Sequence, residues 1–82
     1  MQSPAEKIWK EAQEKLRSIL NPDIYNLWFA PIQALCLDGE TITLRVANDF
    51  CELWLKDNYL TLVQDVLMHV AGAQIKVRFQ IG

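Results

Sequence analysis

Two segments of this chain alternate apolar and polar residues with period two, and a long stretch of helical periodicity separates them. In TITLRV, residues 41–46, Ile42, Leu44 and Val46 point one way while Thr41, Thr43 and Arg45 point the other. In QIKVRFQI, residues 74–81, Ile75, Val77, Phe79 and Ile81 alternate with Gln74, Lys76, Arg78 and Gln80. Such alternation fits strands with one covered face and one wetter face. Residues 32–37 are compatible with a further strand, and the turn DGE at 38–40 joins it to TITLRV as a hairpin.

The cover for that sheet is helical. SPAE at 3–6 has the form of a helix start, with Ser3 as cap, Pro4 where its missing N–H costs nothing, and Glu6 placed for a capping box. At about 100° per residue, Ile8, Trp9, Ala12, Leu16, Ile19 and Leu20 share one side of this helix, opposite Lys7, Lys10, Glu11, Glu14 and Arg17. NPD at 21–23 repeats the start signal, so a second, shorter helix runs to about Phe29 and stops before Pro31. The short link predicts a compact corner, with Leu27 or Trp28 buried against the first helix.

Asn48 caps a helical region from Asp49 to about Val70, and here one helix does not suffice. Phe50, Cys51, Leu53, Trp54 and Leu55 centre on one side, whereas Tyr59, Leu60, Leu62, Val63, Val66, Leu67 and Val70 centre roughly 150° away. A break at Asp57 and Asn58 reconciles them, with Asn58 as a left-handed residue and Gly72 ending the second piece. The expected fold is α+β: one domain over residues 1–82, in the order helix, helix, strand, strand, helix, helix, strand, its helices packed on a small three-stranded mixed sheet.

Charge and motif content narrow the function. Eight Lys and Arg are scattered among ten Asp and Glu for a net charge of −2, which disfavours strong duplex binding. The opening MQSPAEKIWK lacks a basic region followed by an apolar run, and no apolar stretch approaches the roughly 18 residues of a membrane span, so a soluble, cytoplasmic chain is expected. Cys36 and Cys51 lack CxxC spacing and read as reduced packing residues. His69 has no Cys or second His at helical spacing, which argues against a metal site. With only Gly39, Gly72 and Gly82 there is neither a GxSxG elbow nor a phosphate loop, and Glu52 and Asp57 read as a solvated helix face. No enzyme and no cofactor are expected.

What remains is a surplus of aromatics. A chain of 82 residues buries only about 60% of its unfolded surface. Trp9, Trp28, Trp54, Tyr25, Phe29, Phe50 and Tyr59 load that thin core heavily, and an aromatic left outside is available to a partner. Trp28 and Trp54 read as core. Trp9, at the edge of its stripe, divides between core and contact. Phe50, in the first turn after Asn48, reads as a partly exposed contact residue.

The runs IWKEAQEKL, NPDIYNLWFAPIQAL, LDGETITLRVAND and above all NDFCELWLKDNYL closely resemble the N-terminal domain family of the bacterial chromosomal replication initiator DnaA, over essentially the whole chain. The most specific parts are Trp9, Trp28 shortly before Pro31, and the pattern of Asn48, Phe50, Trp54, Leu55 and Tyr59. The resemblance implies a KH-like fold without an RNA clamp, since the chain lacks a GxxG loop. It also implies an assembly module without the family's ATPase and origin-binding domains. Its partners would be the replicative helicase, initiation regulators and other copies of the initiator. Carried over by residue, Trp9 would serve self-association and Phe50 helicase and regulator contact, with Leu27, Trp28 and Cys51 beside it. Where some members place an acidic helicase contact, this chain has Ile24, preceded by Asp23, which implies a more apolar or shifted contact. The alternative is weak single-stranded nucleic-acid binding by Lys76 and Arg78.

Overall fold

The computed structural model describes residues 3–82. Ser3 caps the first helix, α1 (Pro4–Ile19): its hydroxyl accepts from the Glu6 backbone N–H at 3.2 Å and donates to the Glu6 carboxylate at 3.1 Å. Ala5, Trp9, Ala12 and Leu16 form the buried stripe. Ile19, expected in that stripe, is 58% exposed. At about 100° per residue it lies roughly 50° from the stripe's centre, which places it at the rim instead of inside.

The second start signal also works as expected, with Asn21 Oδ1 accepting from the Asp23 N–H at 2.8 Å and Pro22 in the first helical position. This helix, α2 (Pro22–Ile24), passes directly into a π-helical turn over Tyr25–Phe29, closed by a 2.9 Å bond from the Ala30 N–H to the Tyr25 carbonyl. Phe29 is fully buried, Trp28 is half-buried and Leu27 faces solvent. Of the two residues expected to pack on α1, Leu27 is therefore excluded, while Trp28 is half-buried against the core. Residues two apart on a helix lie on opposite faces, so when Phe29 turns inward Leu27 must turn out.

The sheet has the order β1 (Gln33–Asp38), β2 (Thr41–Val46), β3 (Lys76–Ile81), with β1 antiparallel and β3 parallel to β2. Gly39 takes φ 62° in the hairpin turn, where a Cβ would be strained. Ile42, Leu44 and Val46 face the helices, in register with Val77, Phe79 and Ile81. Ile81, at the end of an edge strand, is more exposed than its alternation predicts. A bulge between Ala34 and Cys36 leaves Leu35 unpaired with β2. Cys36 consequently pairs with Thr43 on the outer face and is exposed, not the packing residue the sequence suggests. The outer face carries Arg45, Lys76 and Arg78, all exposed.

After β2 the chain forms α3 (Asp49–Asn58) and α4 (Leu60–Ala71). The predicted break falls one residue later than expected and by another device. Tyr59, at φ −131° and ψ 1°, leaves the helical region, and no described non-glycine residue has positive φ, so Asn58 is not left-handed. Asn58 instead donates from Nδ2 to the Trp54 carbonyl at 2.9 Å. Gly72, at φ 73°, ends α4. Leu55, Val63, Val66 and Leu67 meet the α1 stripe and the inner sheet face in one core. Among the described residues no helix is long and apolar enough to cross a membrane.

Candidate functional site

Asn48 starts α3 by accepting the Cys51 N–H on its Oδ1 at 2.9 Å, which fixes where the first turn points. Phe50 in that turn stays 65% exposed, and Leu53, three residues on and therefore on the same side, stays 59% exposed. On the neighbouring π-turn Leu27 is 67% exposed. Three large apolar side chains thus remain in water on two adjoining elements.

Trp28 joins those elements. Its ring stacks on Trp54 with centroids 3.9 Å apart and planes 15° from parallel, and meets Phe50 at 6.0 Å. Trp54 continues to Tyr59 at 5.0 Å, and Tyr59 meets Phe29 edge-on at 5.4 Å. The result is an aromatic ladder running from the solvent at Phe50 to the core at Phe29. Both pieces bearing the exposed residues are anchored by it, so the surface is presented rigidly and little ordering cost remains to be met on binding.

The far side of the π-turn is held by α1. Gln13 Nε2 donates to the Phe29 carbonyl at 3.1 Å, and Trp9 Nε1 donates to the Ile32 carbonyl at 3.1 Å. Trp9 is only 3% exposed. The structure places Trp9, expected as a self-association contact, in the core, where its indole satisfies backbone just beyond the π-turn.

Of the other expected residues, Asp23 is exposed and Ile24 is half-buried against the core, one turn before Leu27. Cys51 is half-buried and shares a cleft with Leu27 and Trp28. The structure therefore brings Leu27, Trp28, Phe50 and Cys51 together and leaves Trp9 apart. Leu53 was not singled out from the sequence, although its spacing from Phe50 carried the signal. Nearby charge is local: Lys56 pairs with Glu52 at 2.7 Å, i to i+4 along α3.

Such a surface acts by desolvation. Completing the burial of two-thirds-exposed Leu27, Phe50 and Leu53 would contribute about 1–2 kcal/mol each, from which association entropy is subtracted. That magnitude is of the order of a weak, transient contact. Among the described residues no three His, Cys, Asp or Glu are grouped to hold a metal ion.

Comparison with known proteins gives a concordant result. The family model described as the DnaA N-terminal domain matches residues 6–69. The chain is 30% identical over 76 residues to the chromosomal replication initiator protein DnaA of Geotalea uraniireducens, an alignment covering 93% of this chain and 17% of that protein. It is 32% identical over 77 residues to the same initiator from Citrifermentans bemidjiense, covering 94% and 17%, and 30% identical over 77 residues to that of Chlorobaculum tepidum, covering 94% and 16%. The chain spans about a sixth of the length of these relatives.

Proposed function

The chain belongs to the DnaA N-terminal domain family, and we propose that it is the protein-docking module of a chromosomal replication initiator, acting in the cytoplasm. Its surface at Leu27, Phe50 and Leu53 receives the replicative helicase and the regulators of initiation, with Trp28 and Cys51 at its centre and Asp23 and Ile24 at its edge. The observation that carries this reading is the exposure of Leu27 and Phe50 on two elements locked together through Trp28. Large apolar side chains gathered on two elements fixed to one another form a patch of the kind that a protein partner covers. Ile24 leaves the helix 2 side of the surface more apolar than an acidic residue would.

Chemical-shift mapping of the labelled chain against the replicative helicase of the same organism tests it. Perturbations confined to Asp23, Ile24, Leu27, Phe50 and Leu53 are expected. A folded sample with no perturbation there overturns helicase docking at this surface.

A second reading draws on the outer sheet face, where Lys76 and Arg78 project from β3. Weak single-stranded nucleic-acid contact there would show as steep salt dependence.

A further inference from the structure

Beside Leu27 and Phe50 lies a cleft of about 230 Å³ between the π-turn and the end of β2. Leu27, Trp28, Pro31, Val46 and Cys51 supply its apolar walls, and Arg45 is its one charged lining residue. The volume falls below the ~300–1,000 Å³ of small-molecule pockets and suits a single large side chain.

Arg45 is held at the border of this cleft. Its guanidinium donates to Gln33 Oε1, from the residue directly opposite it on β1. Its methylene stem runs against Gly82, where a Cβ would collide with it. Yet it forms no ion pair among the described residues, whose one salt bridge joins Lys56 to Glu52. Arg45 is solvent-exposed, and beyond the bond to Gln33 its guanidinium keeps N–H donors available.

We infer that this cleft is the specificity pocket of the docking surface, taking an apolar side chain of a protein partner whose neighbouring carboxylate is received by Arg45. The inference rests on the protein-docking reading above. A positioned guanidinium matches a carboxylate with two parallel hydrogen bonds, which a point charge cannot do. Nucleic acid fits the cleft poorly, because phosphate backbones are held by runs of cations and here there is one. Leu27, Trp28 and Cys51 line the cleft and belong to the exposed surface, so one partner segment can occupy both.

The test has two arms. In the first, the labelled chain is titrated with acetyl-Gly-Leu-Glu-Gly-amide and with the same peptide carrying Gln for Glu. The Glu peptide should shift the amides of Val46, Ala47 and Cys51 and bind about tenfold more tightly than the Gln peptide, a preference that disappears in Arg45→Gln. Equal binding of the two peptides, or no shift at these amides, overturns the inference.

In the second arm, helicase binding is measured for Phe50→Ala, Arg45→Gln, Arg45→Lys and Gly82→Val. Arg45→Gln should weaken binding about tenfold and Arg45→Lys less, since the ammonium keeps charge without the fork. Gly82→Val should weaken it too, by displacing the Arg45 stem while retaining its charge. If Phe50→Ala abolishes binding and Arg45→Gln leaves it intact, the pocket assignment falls and the docking surface stands. If neither variant changes binding, the docking reading falls and takes the pocket with it.

Discussion

Trp28 and Trp54 stack face to face at 3.9 Å, and this contact joins a π-helical turn to a helix more than twenty positions further along the chain. Neither ring is fully buried, so the pair is at once part of the core and the floor of the exposed surface. Replacing Trp54 by Ala should cost about 3 kcal/mol of stability, at the lower end of the range for large aromatics because the ring is only half-buried. Urea unfolding measures the loss, and near-ultraviolet circular dichroism should show the coupled indole signal vanish.

Phe50→Ala should behave oppositely. The ring sits at the outer end of the ladder, so stability should stay within about 0.5 kcal/mol of the parent, while partner affinity falls at least about tenfold. Parallel denaturation and binding curves separate the two effects. A variant that unfolds would place Phe50 in the core and remove it from the surface.

Trp9→Phe keeps most of the buried ring and deletes the indole N–H that reaches the Ile32 carbonyl. The expected cost is about 1–2 kcal/mol, moderated because Gln13 Nε2 also approaches that oxygen at 3.5 Å. Hydrogen exchange of the Ala30 amide, which closes the π-turn, should accelerate in step. Unchanged exchange would show that α1 does not hold the turn.

Asn48→Ala should cost about 1 kcal/mol through the lost Cys51 cap, and it should also loosen the first turn that aims Phe50. Both stability and partner affinity therefore drop, unlike in Phe50→Ala. Gly72→Ala should cost about 1 kcal/mol and leave binding alone: a Cβ there meets nothing within 4 Å, so the whole penalty is the left-handed backbone. Thermal melts and binding curves on the same samples distinguish these cases.

Much of this fold can be read from the chain because its signals are local. The Ser3, Asn21 and Asn48 caps, the alternation of Ile42, Leu44 and Val46, and the switch of apolar azimuth around Asn58 each depend on residues a few positions apart. What escaped depends on distant partners. The π-turn is supported by carbonyl contacts from Gln13 and Trp9, which no periodicity within residues 22–29 can reveal. The bulge at Leu35 depends on pairing with β2, and it alone decides that Cys36 faces outward. Azimuth alone does not measure depth for Trp9, which reads from the sequence as an edge residue and is covered by the neighbours around it. At the site, Phe50 was legible as the aromatic nearest a helix start. Arg45 was not, since only the folded sheet brings the end of β2 beside the π-turn.

The described residues share one hydrophobic core, a single apolar layer to melt. Unfolding 82 residues carries a heat-capacity change of about 1 kcal/mol/K, and near the midpoint each kcal/mol of added stability moves that midpoint by roughly 4–8 °C. A partner present at a hundred times its dissociation constant adds about 2.7 kcal/mol, enough to raise the melting temperature by more than about 10 °C. With so little structure to melt, this small domain is a thermometer of its own occupancy.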